Sequence, residues 1–187
     1  DICIYIFVVT MTKNLRTKAL LDEIPPESKI LDIGCVQHSA DKASNEDWVH
    51  GKLYDISENV LGLDYEEEEV NKLRQQGYNI ITGNAEDLDL DEKFDVVVAG
   101  EIVEHLSNVG AFLDGVYDHL TPHGELIMTT PNPWAFHRFK QAIFGEVYCN
   151  EEHTCWFDNR TIRQVLQRHN FKIDKMSYIK ASDFGFT

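Results

Sequence analysis

Short apolar runs alternate with helical patterns along most of this chain, and no other feature narrows its fold as far. The runs are KILDIG (29–34), NVLGLD (59–64), YNIIT (78–82), FDVVVAG (94–100), GELIMTT (124–130) and FKIDKMSYI (171–179). Between most of them lie helix-like stretches: EEEEVNKLRQQG, which stops at a glycine, VGAFLDGVYDHL ahead of TPHG, and TIRQVLQRHN, which Asp158 or Thr161 can cap. Near-continuous apolar strands need cover on both faces, and intervening helices supply it. The pattern predicts an α/β fold with a mostly parallel central sheet and helices on both sides. No segment repeats and none is of low complexity, so solenoids and long linkers drop out.

A chain of 187 residues is the size of one domain with a full core. Its 32 acidic against 17 basic side chains leave a formal charge of −15, which repels phosphate backbones. With no Lys/Arg cluster, nucleic acid is disfavoured as a partner and a small molecule is preferred. The four cysteines, Cys3, Cys35, Cys149 and Cys155, are scattered, which suits reduced thiols and a cytoplasmic location. The opening DICIYIFVVT is about half the ~20 residues that a spanning helix requires, so no stable membrane insertion is expected. Met11 follows it directly. Residues 1–12 are therefore expected to be an extension outside a domain of residues 13–187, with Met11 the natural start; the alternative is an extra strand or an anchor.

In such sheets ligands bind beyond the carboxyl ends of the strands, so the residues after each run have chemistry to offer. Asp32 and Gly34 end the first run, and a glycine there lets the backbone turn tightly and approach a ligand. This loop has one glycine where a dinucleotide site has G-x-G-x-x-G, which counts against a nicotinamide enzyme. Asp64 closes the second run, placed to accept both hydroxyls of a ribose or simply to cap the next helix. After the third run, Asn84, Ala85 and Glu86 can bracket an adenine, or can merely turn the chain.

Together, ILDIGC, VLGLD, GNAEDL and FDVVVAGEIVEHL stand in an order and register that resembles the class I S-adenosylmethionine-dependent methyltransferases of small-molecule type, from about residue 13 to about residue 179. The resemblance implies a Rossmann-like fold and S-adenosylmethionine as cofactor. By that resemblance Asp32 and Gly34, with Cys35 in the same loop, border its methionine part, Asp64 its ribose, and Asn84, Ala85 and Glu86 its adenine. Gly100 and Glu101 form the floor near the sulfonium. The sequence departs from the family at Cys35-Val36-Gln37-His38, where a second glycine is usual, and in the insertion SADKASNEDWVHGKLYDISE, which carries Trp48 and His50. The family also ends in an antiparallel hairpin, and ASDFGFT is short for its last strand, so an incomplete hairpin is expected.

After the fourth run comes GEIVEHL. A helix beginning near Glu101 would stack Glu101, Glu104 and His105 on one face at i, i+3 and i+4, a half-built site for a divalent cation. His153 is the candidate for a further ligand. The arrangement resembles metal-dependent relatives, the small-RNA 3′-terminal 2′-O-methyltransferases and the ubiquinone-pathway O-methyltransferases, which carry E-x-x-E-H and a later histidine. A cation there would lower the pKa of an acceptor hydroxyl. Without a metal, His105 serves as general base or substrate contact. A third reading puts zinc on Cys149, His153 and Cys155.

Residues 129–160 lie where a substrate cap would sit, and Trp134, His137 and Arg138 there could stack on a ring and pair with an anionic group. GCVQH, TTPNPWAFHRF and EHTCWF resemble methyltransferases of polysaccharide and glycan biosynthesis, which implies a sugar-like or lipid-linked hydroxyl as acceptor. The expected activity is O-methylation of a small molecule. The rival readings are an RNA 2′-O-methyltransferase, opposed by the negative charge, and a non-catalytic cofactor-binding protein, motivated by the irregular first loop.

Overall fold

The computed structural model describes residues 2–10, 13–145 and 149–180. Its strands are β1 (Cys3–Thr10), β2 (Ile30–Ile33), β3 (Val60–Asp64), β4 (Ile80–Thr82), β5 (Phe94–Gly100), β6 (Leu120–Pro131) and β7 (Lys172–Lys180). The helices are α1 (Lys13–Leu21), α2 (Val49–Leu53), α3 (Glu67–Gln75), α4 (Val109–His119), α5 (Phe136–Phe144) and α6 (Asn159–Arg168). The strands form one sheet in the order β4-β3-β2-β5-β6-β1-β7, and every pairing among the described residues is parallel. Each apolar run of the sequence is one of the strands β2 to β7. No helix among the described residues is long and apolar enough to cross a membrane.

The alternation of side chains along each strand divides the core in two. On one face Leu31, Val97 and Leu126 pack with Phe112, Leu113 and Val116 of α4 and with Ile162 and Leu166 of α6. On the other, Ile30, Val96, Val98 and Ile127 pack with Leu20 of α1 and with Val49 and Leu53 of α2. Helix ends follow their local chemistry. Gly77, at φ 99, takes the left-handed turn beyond α3. Asp158 and Thr161 both act at α6, as a reciprocal capping box.

The first residues depart from expectation. Cys3–Thr10 do not lie outside the domain: as β1 they run parallel between β6 and β7. Ile4, Ile6 and Val8 are completely buried. An apolar run without charges beyond its first residue suits an interior strand, whose two faces are both covered. The incomplete hairpin expected at the end turns on residues 181–187, which lie outside the described residues.

From β2 the chain steps through β3 to β4 at one edge, then returns to lay β5 on the other side of β2. The gap beyond the carboxyl ends of β2 and β5 is the topological switch point, where an open α/β sheet has room for a ligand.

Candidate active site

A cavity of about 680 Å³ opens at that switch point. Gly34 enters it from the end of β2 at φ 78, a left-handed backbone, and a Cβ there would lie 3.0 Å from Ile102 Cδ1. The loop that follows puts Gln37 and His38 at φ 56 and 74, conformations that usually favour glycine. Three contacts from outside the loop hold it. Asp64 Oδ2 accepts the Val36 N–H at 2.9 Å, Trp48 Nε1 donates to the Cys35 carbonyl at 2.8 Å, and His50 Nδ1 lies 3.0 Å from Asp32 Oδ2. Trp48 and His50 of the insertion between β2 and β3, with Asp64, thus buttress a loop that lacks a second glycine.

The neighbouring strand ends add polar groups. Asp64 is buried, which pushes its carboxyl pKa up, while the N–H groups of Val36 and Glu66 pull it back. The Asn84 side chain accepts the Glu86 N–H at 2.9 Å, and Glu86 in turn accepts the Asn108 N–H at 2.8 Å ahead of α4. Asn84, Ala85, Glu86 and Gly100 all line the cavity.

Beyond β5 the expected helix is absent. Glu101 sits at φ 54, a 3-10 turn covers Val103–His105, and α4 begins only at Val109. Glu101, Glu104 and His105 therefore do not share a helical face. Glu101 is ion-paired with Arg16 of α1. Glu104 turns inward, 2% exposed. Its Oε2 accepts from Thr130 Oγ1 at 3.3 Å, while Oε1 is buried without a hydrogen-bond partner. Burial, with the Glu101 charge adding to it, raises the Glu104 pKa to about 8.

Thr154 brings the distant histidine to this turn. Its N–H donates to the Glu104 carbonyl at 2.8 Å, and its hydroxyl to the Leu106 carbonyl at 2.5 Å. His153 then packs edge-on against His105 with ring centroids 4.6 Å apart. Glu104, His105 and His153 each offer a ligand atom within 4.8 Å of the others. Burial lowers both imidazole pKa values, which keeps a lone pair available near neutral pH. Glu152 Oε2 stands 3.7 Å from Nδ1 of His105 and of His38.

A family model described as a methyltransferase domain matches residues 11–176. The chain belongs to that family. It is 28% identical over 125 residues to a probable S-adenosylmethionine-dependent methyltransferase of Mycolicibacterium smegmatis, covering 65% of this chain and 47% of that protein. It is 43% identical over 67 residues to a ubiquinone biosynthesis O-methyltransferase of Azorhizobium caulinodans, covering 35% of this chain and 26% of that one. The chain thus spans less than half the length of either relative. A solved structure from Thermotoga maritima, described as an S-adenosylmethionine-dependent methyltransferase and possible histamine N-methyltransferase, matches with a TM-score of 0.66 and 18% identity. The match covers 86% of this chain and 70% of that one. The Rossmann-like class I methyltransferase fold read from the sequence is the fold found.

Within this methyltransferase domain the residues singled out from the sequence divide. Gly34, Asp64, Asn84, Ala85, Glu86, Gly100, Glu101, Glu104, His105 and His153 line one cavity. Asp32 and Cys35 do not. Asp32 lies on the strand face covered by α2 and is spent on His50, and Cys35 is buried beside Trp48, its thiol pKa pushed up by that burial. Trp134, His137 and Arg138 also stand off the cavity. Trp134 donates to Asp158 Oδ2 at 3.2 Å, His137 is exposed, and Arg138 stacks on Trp156 at 3.9 Å. Cys155 turns its sulfur towards the Val103 and Glu104 carbonyls, away from a zinc set with His153. Arg16 and Glu152 escaped sequence reasoning. Nothing around Arg16 in α1 marks it, whereas adjacency to His153 was a signal for Glu152.

Proposed function

We propose that this domain transfers a methyl group from S-adenosylmethionine to a hydroxyl oxygen of a small molecule, with a divalent cation held by Glu104, His105 and His153. One observation carries the reading: two neutral imidazoles and a buried carboxylate with an unpartnered oxygen converge in the cavity built by the four central strand ends. That donor set suits a borderline divalent ion. The cavity residues also fit the cofactor. The left-handed Gly34 lets a ligand approach the backbone, and Asp64, which lines the cavity and retains acceptor capacity beyond the Val36 and Glu66 N–H groups, can accept from a ribose. Asp64, Glu66, Glu86 and Glu152 line the space, with Glu101 paired to Arg16, a field that favours a sulfonium and a metal cation and opposes a polyphosphate such as RNA.

When bound, the cofactor supplies an activated methyl group and the cation lowers the pKa of an acceptor hydroxyl. The chain's own residues position and exclude. Gly34, Gln37 and His38 form one wall, and the ion pair of Arg16 with Glu101 fixes the position of the Glu101 carboxylate at the cavity wall. Glu152, close to His38 and His105, can take up the hydroxyl proton and pass it to solvent. Oxygen as the receiving atom is supported by the relative named an O-methyltransferase. The many carboxylate acceptors suit a polyhydroxylated, sugar-like acceptor.

Calorimetry on chelator-stripped protein tests this. S-adenosylhomocysteine is titrated first, then Mg²⁺, Mn²⁺ or Zn²⁺, on the wild type and on His153→Ala. A cofactor heat in both proteins, with a cation heat that only the wild type shows, is expected. Cation binding unchanged in His153→Ala removes the metal site, and absence of the cofactor heat removes the methyl-transfer reading.

A further inference from the structure

Asp32 and Cys35, the residues that the sequence pointed to for the methionine part of the cofactor, are both turned away from the cavity. Asp32 is spent on His50, and Cys35 is buried beside Trp48. An amino-acid terminus carries a carboxylate and an ammonium, and each needs a partner of opposite charge once it leaves water. The arm of the cofactor therefore calls for a cation and an anion side by side in the cavity wall.

Arg16 and Glu101 are such a pair. Among the described residues that line the cavity, Arg16 alone carries a guanidinium or ammonium group. Its Nη1 donates to Glu101 Oε2, and its Nε is buried without a partner, so the guanidinium still has donors to give. Both partners are anchored. Leu20, one helical turn beyond Arg16 in α1, is completely buried and lies against Gly100, where a Cβ would stand 3.5 Å from Leu20 Cδ1. The Glu101 N–H donates to the Thr129 carbonyl at 3.1 Å and to its hydroxyl at 3.0 Å. The strand order then sets where the pair stands. Residues 84–86 follow β4, Asp64 ends β3, Gly34 follows β2 and Glu101 follows β5, in a row along the sheet. Neighbouring strands are about 4.8 Å apart, so the row is roughly 14 Å long, comparable with the reach of a nucleoside whose amino-acid arm is extended. With adenine and ribose at the β4 and β3 end, the arm passes the open backbone of Gly34 and finishes at Arg16 and Glu101.

We propose that Arg16 binds the carboxylate of the cofactor's amino-acid terminus and Glu101 its ammonium, each partner of the ion pair taking one half of the zwitterion. The inference rests on the methyl-transfer reading and assigns a cofactor contact to α1, outside the strand ends. Calorimetry compares S-adenosylhomocysteine with its decarboxylated analogue, which keeps the ammonium and lacks the carboxylate, on the wild type and on Arg16→Met. The wild type should prefer the ligand with the carboxylate by at least about tenfold, and the variant by less than about twofold. A merely structural role for Arg16 would weaken both ligands alike and leave the preference intact. Thermal melting checks folding, and Arg16→Gln, with the same expectation, replaces a Met variant that does not fold. A folded variant that keeps the wild-type preference overturns the proposal, as does a wild type with none. No heat from either ligand on the wild type would instead remove the methyl-transfer reading itself, and this inference with it.

Discussion

Replacing Glu104 by Gln should stabilise the metal-free protein above neutral pH while removing its response to cations. Glu104 is packed against Thr130, near Glu101 and its partner Arg16, with His105 and His153 on the cavity side. Burial raises its pKa from the ordinary 4.5 of a glutamate to about 8. The folded state thus holds a proton that the unfolded chain releases, and stability falls as pH rises from about 4.5 to about 8. A proton held across that window changes stability by about 1.4 kcal/mol for each pH unit, which sets an upper bound of roughly 5 kcal/mol. Gln has the same shape and no charge to desolvate. In urea titrations with chelator present, the two proteins should be equally stable near pH 5. The variant should lead by at least about 2 kcal/mol near pH 8.5, or several degrees in Tm for a domain of this size. Added cation should then reverse the order, since only the wild type gains by binding. Stability curves that run parallel from pH 5 to 8.5 would refute the reasoning, because they would show that the carboxyl is solvated in the folded state.

Two further predictions concern the first loop. Gly34→Ala should weaken S-adenosylhomocysteine binding by about tenfold or more, since the new Cβ meets Ile102 at 3.0 Å on a left-handed backbone; calorimetry checks it, and unchanged affinity would mean that the loop does not touch the cofactor. Trp48→Phe keeps an aromatic ring but leaves the Cys35 carbonyl without its 2.8 Å donor and the buried site underfilled, which should cost at least about 1–3 kcal/mol in chemical denaturation, with a larger fractional loss of cofactor affinity than a distant core substitution of equal cost.

Much of the site was legible because it depends on local order along the chain. Strand ends are marked by where an apolar run stops, so Gly34, Asp64, Asn84 and Gly100 could be assigned to one cavity before any strand was paired. Side-chain direction was harder. Asp32 ends the same run as Gly34, yet the two-residue period of a strand turns it to the α2 face, where His50 waits. The spacing of GEIVEHL suggested a helix, but Arg16, 85 positions away in sequence, pairs with Glu101 as the backbone turns left-handed. Aromatic residues between 134 and 144 looked like a substrate cap; composition alone does not tell a face turned to a ligand from one turned to water.

The sequence by itself determined the fold class and the strand ends that build the cavity, because hydrophobic period and turn chemistry act over a few residues, while its likeness to the methyltransferases implied the cofactor. Tertiary structure alone decided that Cys3–Thr10 enter the sheet, that Glu101 leaves Glu104 and His105 for Arg16, and that Thr154 fastens His153 beside Glu104 and His105. Those outcomes are contacts between segments far apart in the chain, and no local pattern specifies which distant partner will meet a buried charge or an open hydrogen bond.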